Sequence, residues 1–193
     1  MMLSDCSTVE AVSYGLYQLE NPTEDLLSRM VLSLSPIDFI AHWQRCSATA
    51  NMIAEFQAFN FSNRKKVGNI LSTIVNELIE NAIKFTRDPH LEIQMKVCNY
   101  ADFISFEIQN TCSKKQRALY ESFFSTLLAK NPEEYFLETI LEHAEGNKSE
   151  SQLGLITLVK DFNAKIGVKF ISEKKYDIVY TQLRLDTEEL QNL

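Results

Sequence analysis

The stretch 62–86 constrains the fold more than any other part of the chain, because its residues fit only a long, half-buried helix. Ser62 is a suitable N-cap, and no proline follows it within the stretch. Apolar residues recur there at helical spacing; they are Val67, Ile70, Leu71, Ile74, Val75, Leu78, Ile79 and Ala82. We therefore predict one continuous helix over residues 62–85 that lies with one face on a sheet.

The positions of Glu77, Asn81 and Lys84 on this helix give the first indication of a site. At about 100° per residue, Asn81 projects into the apolar sector, whereas Glu77 and Lys84 lie together at its margin. A buried carboxamide without a partner costs roughly 1–3 kcal/mol. We therefore expect Asn81 to meet either a buried polar network or a ligand, with Glu77 one turn before it. A core helix with a polar flank is the simpler alternative.

The remaining pattern predicts an α+β fold. Period-2 alternation indicates strands over residues 26–35, 91–98, 103–110, 168–172 and 178–185, and the last four form two hairpins. Helical spacing indicates helices over residues 37–56, 114–130, 133–144 and 153–164, and the last of these ends near Gly167. Residues 145–151 are expected to form a mobile polar loop. Residues 1–25 are expected to form an N-terminal extension, with helical possibilities over residues 9–19.

These elements predict a two-layer sandwich, in which a mostly antiparallel sheet of about five strands carries helices on one face. The chain has 193 residues, of which 45% are hydrophobic, and this is enough for one substantial core. We therefore assign residues 26–193 to a single domain.

Charge and composition narrow the functional classes. The formal net charge of −7 argues against nucleic acid as a partner, and the basic run Arg64, Lys65 and Lys66 is expected to be a solvated helix start. No secretory leader and no apolar run of membrane length is visible, so we expect a cytoplasmic protein without a membrane partner. The cysteines and histidines lack the spacing of disulfide frameworks and zinc sites.

The helix motif carries a resemblance to a known superfamily. The spacing Glu77-x-x-x-Asn81, followed by Ala82-x-Lys84-Phe85, resembles the motif of the GHKL superfamily, which includes sensor histidine kinases, gyrase-type ATPases and anti-sigma-factor kinases. The order of elements over residues 26–185 is similar to that of the anti-sigma-factor kinases. The two helices and the polar loop in the second half look like those of the SiaB-type bacterial kinases. The resemblance implies a Bergerat-type ATP-binding fold.

The resemblance also implies ATP and magnesium as cofactors, with roles for five residues of this chain. Asn81 would hold the magnesium ion, Glu77 would position or deprotonate the attacking hydroxyl, and Lys84 would lie near the phosphates. Asn110 stands where the superfamily has an adenine-binding aspartate. Gly154 is the one glycine kept where the superfamily has a glycine-rich phosphate loop.

Two functions therefore stay open. The first is a bacterial signalling regulator that uses ATP and magnesium to phosphorylate a serine or threonine of a STAS-like partner protein. The second is a catalytically degenerate module that binds and regulates a protein partner without chemistry. It accounts for the missing glycines around Asn110 and for Glu150, whose carboxylate lies in the phosphate loop. A homodimer is left open in both cases.

Overall fold

The computed structural model describes residues 11–17, 25–144 and 153–192. Within these residues the chain forms one six-stranded antiparallel sheet, in the order β1-β5-β6-β4-β3-β2. The strands are β1 (Ala11–Gly15), β2 (Leu26–Leu34), β3 (Ile93–Tyr100), β4 (Phe103–Cys112), β5 (Lys165–Ser172) and β6 (Asp177–Asp186). The helices are α1 (Pro36–Ala41), α2 (Gln44–Ala58), α3 (Arg64–Phe85), α4 (Lys114–Ala129), α5 (Pro132–Ala144), α6 (Leu153–Phe162) and α7 (Thr187–Asn192). This arrangement confirms the predicted α+β sandwich.

Alternation along the central strands determines which face of the sheet the helices cover. Ile93, Met95 and Val97 of β3 are fully buried, and so are their neighbours on β4. In the β3–β4 hairpin, Met95 pairs with Ile108 and Val97 pairs with Phe106. Both predicted hairpins are present, because β5 and β6 also pair directly. Helix α3 lies on this buried face of the sheet and contacts β4.

The N-terminal segment differs from its predicted structure. Residues 11–15, for which a helix was considered, form the edge strand β1, and β1 pairs antiparallel with β5. The sheet therefore has six strands among the described residues instead of about five. Pairing with β5 decides the conformation, since Tyr14 packs its ring edge-on against Phe170 at 6.3 Å. A partner 156 residues away in sequence leaves no local periodicity to detect.

The prediction of one helix over residues 37–56 is wrong, because the structure has two helices there. The chain leaves the helical conformation at His42, whose φ and ψ are −134° and 71°. Ile40 and Trp43, which match the buried stripe by spacing, are 57% and 40% exposed at this break. Phe39 of α1 and Cys46 of α2 are buried on the two sides of it. The helical spacing of apolar residues in the sequence therefore continues from α1 into α2, although the chain changes direction between them.

Two predicted helix ends also change. Asn63, and not Ser62, is the N-cap of α3, and its side chain accepts a hydrogen bond from the Lys66 backbone N–H at 3.4 Å. Helix α6 ends at Phe162 instead of near Gly167, and the next residue, Asn163, has a φ of 50°. The predicted loop 145–151 lies outside the described residues. Among the residues that are described, no helix combines the length and apolar character needed to cross a bilayer.

Candidate functional site

Helix α3 positions the residues that the sequence singled out. It spans 22 residues, and its apolar stripe is fully buried or nearly so between α2 and the sheet. The buried members of the stripe are Val67, Leu71, Ile74, Val75, Leu78, Ile79, Ala82 and Ile83. A helix held along its whole length places the side chains near its C-terminal end rigidly against the sheet. This is the end that carries Glu77 and Asn81.

Asn81 lies within the buried sector, as its helical spacing predicts. Asn81 is 6% exposed, and its Nδ2 group donates a hydrogen bond to the backbone carbonyl of Glu77 at 2.8 Å. Within the described part of the chain, the Asn81 Oδ1 atom accepts no hydrogen bond. A carboxamide oxygen is an acceptor with two lone pairs, so this atom has unused capacity for a donor or a cation. The predicted role of Asn81 in metal binding stays a prediction.

Glu77 and Gly154 are brought together, although 77 residues separate them in the sequence. The Glu77 carboxylate lies directly against Gly154, the second residue of α6. A Cβ atom added at Gly154 would overlap Glu77 Oε2 and would stand 2.7 Å from Glu77 Cδ. The carboxylate can therefore occupy this place only because residue 154 has no side chain. The carboxylate of α3 thus contacts the first turn of α6.

The environment of Glu77 raises the pKa of its carboxyl group above the ordinary value for glutamate. Burial is the largest cause, and the nearby carboxylate of Glu80 adds to it, whereas the ammonium of Lys84 acts in the opposite direction. A carboxylate with a raised pKa is a better proton acceptor near neutral pH than an exposed one. The arrangement is chemically suited to accept a proton from a hydroxyl group.

Lys84 and Asn110, the other two predicted site residues, have contacts of their own. The Lys84 Nζ atom forms an ion pair with Glu80 Oε2 at 3.1 Å and lies 5.8 Å from the centre of the Trp43 ring. Asn110, on β4, is 3% exposed, and its Nδ2 group donates to the backbone carbonyl of Thr111 at 3.4 Å. The structure thus brings Glu77 against Gly154 and places Asn81 one turn after Glu77 on α3, while Lys84 lies near Trp43 at the α1–α2 junction.

A second polar cluster was missed by the sequence analysis. Asp177, at the start of β6, is fully buried and forms ion pairs with Lys114 and with Arg117, whose Nη1 atom is 3.5 Å from Asp177 Oδ2. Arg117 also donates to Glu121 Oε1 at 2.8 Å and to Ser172 Oγ at 2.8 Å. By sequence, Asp177 ends a polar turn and Lys114 and Arg117 begin a solvated helix. No periodic signal connects residues this far apart.

Comparisons with known proteins support the fold. No protein-family model matches the chain, and no curated protein sequence matches it. One chain of a crystal structure described as the SiaB–SiaC complex from Pseudomonas aeruginosa superimposes on this chain with a TM-score of 0.55 and 9% sequence identity. The match covers 84% of this chain and 91% of that chain. At this identity the likeness shows the fold alone, and the expected SiaB-like fold is confirmed at that level.

Proposed function

We propose that the chain is a bacterial signalling regulator that binds ATP and magnesium at α3 and phosphorylates a serine or threonine of a STAS-like partner protein. The observation that carries this proposal is the contact of Glu77 with Gly154 at the junction of α3 and α6, with the buried Asn81 one turn further along α3. The structural neighbour is a complex of two proteins, which supports a protein partner here as well.

The residues present fit the proposed cofactors in their donor chemistry. Magnesium prefers oxygen ligands, and the Oδ1 atom of Asn81 accepts no hydrogen bond within the described residues. The first turn of α6, which contains Gly154, offers backbone N–H groups suited to phosphate oxygens. Asn110 would accept a hydrogen bond from an adenine amino group through its carbonyl oxygen. Lys84 would exchange its ion pair with Glu80 for one with a phosphate.

Glu77 would act on the partner protein. Its carboxylate, with its raised pKa, would accept the proton of the serine or threonine hydroxyl while that oxygen takes the phosphoryl group. ATP would supply the phosphoryl group and leave as ADP, Asn81 would hold the magnesium ion that balances the phosphate charge, and the first turn of α6 would face the phosphate oxygens. This step needs Glu77 only during transfer, so Glu77 is separable from binding.

The degenerate binding module is the second candidate function, and exposed apolar surface supports it. Five large side chains on α4 and α5 are at least 40% exposed: Leu119, Leu128, Leu137, Ile140 and Leu141. An accumulation of such residues on neighbouring helices is typical of a protein-binding surface. The ion pair of Lys84 with Glu80 also favours this candidate, because it occupies a cation that the kinase would need for phosphate.

Titration calorimetry of ATP with and without magnesium tests the nucleotide site. Under the kinase proposal, Asn81→Ala abolishes the magnesium-dependent part of binding. Asn69→Ala, the same substitution at an exposed position of α3, leaves it unchanged. Tight binding that is insensitive to Asn81→Ala would place the nucleotide elsewhere.

A transfer assay then separates the two candidate functions. A partner recovered from native extract is incubated with labelled ATP and either the wild-type chain or Glu77→Gln. The kinase labels the partner, and Glu77→Gln binds both ligands but transfers nothing. A stoichiometric partner that never acquires label, at any magnesium concentration, leaves the binding module as the function.

A further inference from the structure

A groove between α2 and the N-terminal half of α3 lies on the opposite half of α3 from Glu77 and Asn81. Its volume is about 710 Å³, and both helices contribute to its walls. The two helices approach each other at small residues, because a Cβ atom added at Gly68 would stand 3.7 Å from the Ala58 Cβ atom. Ala54 also lines it. Small side chains leave this groove open to a segment from outside.

The α2 side of the groove is apolar at Ala54, Ala58 and Phe59 and carries one acidic residue, Glu55. Three large apolar side chains at helical spacing on α2 and its C-cap are exposed: Met52 by 49%, Phe56 by 51% and Phe59 by 65%. Phe59 lines the groove, whereas Met52 and Phe56 lie outside its lining on the exposed surface of α2. Three large apolar side chains in one exposed row are unfavourable in water, and such a row commonly marks an interaction surface.

The other side of the groove is basic and lies at an unfavourable end of a helix. Arg64, Lys65 and Lys66 fill the first turn of α3, which has no acidic residue. The N-terminus of a 22-residue helix carries partial positive charge, so three cations there repel both one another and the helix dipole. Within the described residues none of the three forms an ion pair, although the Arg64 guanidinium lies 4.6 Å from the centre of the Phe59 ring. An acidic partner would relieve this repulsion.

Helix α5 has the complementary surface. Leu137 and Leu141, one turn apart, are 61% and 65% exposed. Glu133, Glu134 and Glu138 are exposed beside them, and only Glu138 has an ion pair within the described residues, with Lys130. An exposed helix face that combines leucines with glutamates matches an apolar groove with a basic end in both properties.

We propose that α5 of a second copy of this chain docks in the α2–α3 groove. The leucines of α5 cover Ala54, Ala58 and Phe59, and the glutamates of its first turn neutralise Arg64 and Lys65. Each chain carries both the groove and the α5 surface. In a pair of chains, each surface can therefore meet its complement on the other chain. This inference goes beyond the proposed function and requires neither nucleotide nor a STAS-like partner.

Such docking would also connect the α2–α3 groove of one copy with the candidate site of the other. Helix α5 packs against α6, and the first turn of α6 holds Gly154 against Glu77. An α5 that is anchored on a second copy would therefore stabilise the helix beside the candidate site.

Charge exchange between the two surfaces tests the proposal with the full-length chain. The groove variant carries Arg64→Glu and Lys65→Glu, and the α5 variant carries Glu133→Lys and Glu134→Lys. Sedimentation equilibrium over a concentration series should show self-association of the wild type. Each variant alone should associate at least about tenfold more weakly, because attraction becomes repulsion. An equimolar mixture should regain association, since each variant then meets a surface of opposite charge.

Two controls distinguish a loss of association from a change in net charge or in folding. Lys174→Glu with Lys175→Glu makes the same charge change in the exposed turn between β5 and β6, and this variant should associate like the wild type. Thermal unfolding of the groove variant should show an unchanged or slightly higher Tm, because acidic residues suit a helix N-terminus.

Three results would overturn the proposal. They are a wild type that stays monomeric throughout the series, association that the groove variant leaves intact, and variants whose mixture associates no better than each alone. None of these results depends on the response of ATP binding to Asn81→Ala. Failure here and failure of the proposed nucleotide site are therefore distinguishable.

Discussion

Two polar clusters lie under the helices of this fold, and they differ in how far their charges are compensated by neighbouring groups. Around Asp177 the negative charge is completely buried, but Lys114 and Arg117 both face it. Arg117 is in turn held by Glu121 and Ser172. Each charged group there faces a group of opposite charge, as a buried charge requires if the fold is to tolerate it, although the Asp177 Oδ2 atom accepts no hydrogen bond within the described residues.

The cluster around Glu77 lacks this balance. Its carboxylate is partly buried, its neighbour Glu80 has the same charge, and both effects raise the pKa of the Glu77 carboxyl group. Lys84, the nearby cation, forms its ion pair with Glu80. The Oδ1 atom of Asn81 accepts no hydrogen bond within the described residues. A fold keeps such an arrangement at a cost in stability, and perturbed groups of this kind concentrate at functional sites.

The difference suggests a division of roles that mutation can test. The balanced cluster should matter to the free energy of unfolding, and the unbalanced cluster should matter to binding and chemistry. The expected effects on stability decrease from Asp177 through Gly154 to Glu77.

The largest effect is expected for Asp177→Ala. Removing this carboxylate leaves Lys114 without its ion-pair partner, whereas Arg117 keeps Glu121 and Ser172. We expect a loss of about 2 kcal/mol in the free energy of unfolding, within the range for a hydrogen bond to a charged group, because no buried cation is left without a partner. Urea unfolding measures the change. Asp161→Ala removes the exposed ion pair with Lys160 and should cost less than about 1 kcal/mol. Equal losses in the two variants would mean that the Asp177 cluster does not stabilise the fold.

A smaller effect is expected for Gly154→Ala, and its sign depends on Glu77. Alanine is favoured over glycine in a helix by up to about 1 kcal/mol, but its Cβ atom would overlap the Glu77 carboxylate. In a Glu77→Ala background the overlap is absent, so Gly154→Ala should raise the free energy of unfolding there by up to about 1 kcal/mol. In the wild-type background the gain should be smaller or should become a loss. A double-mutant cycle by urea unfolding measures this coupling, and a coupling of zero would contradict the contact between α3 and α6.

Much of the architecture could be predicted from local periodicity. The α3 stripe, the β3–β4 and β5–β6 hairpins and the burial of Asn81 all follow from spacing along short segments, and the structure confirms them. Each of these features depends on residues within a few turns of helix or within one hairpin. Local spacing is sufficient in such cases because the residues that share a face are close in sequence.

The remaining features depend on contacts between distant segments. Strand β1 is defined by its pairing with β5. The break at His42 does not interrupt the helical spacing of apolar residues in the sequence, so the spacing gives no sign of the break. The resemblance assigned Gly154 to a phosphate loop, whereas its visible contact is with the carboxylate of Glu77. Asp177 and its cations come from two separate elements. Sequence reasoning on one chain has no signal for pairs of this kind.

The smallest effect on stability is expected for Glu77→Gln, and it should depend on pH. Folding raises the pKa of this carboxyl group, so the ionised form is disfavoured in the folded state relative to the unfolded state. Above the raised pKa the wild type therefore carries a destabilisation that the neutral glutamine avoids. As the pH falls through the raised pKa the carboxylate takes up a proton, and below the ordinary glutamate value of about 4.3 the penalty is gone.

Glu77→Gln should accordingly be more stable than the wild type at pH 7, and this advantage should shrink steadily as the pH is lowered toward 4. Urea unfolding midpoints over this pH range measure the difference. Glu55→Gln makes the same substitution at an exposed position of α2 and serves as the matched control. If the advantage of Glu77→Gln stays constant over the whole range, Glu77 ionises like an exposed glutamate. The contrast between the balanced and the unbalanced cluster would then lose its electrostatic basis, because Glu77 would bear no more strain than Asp177.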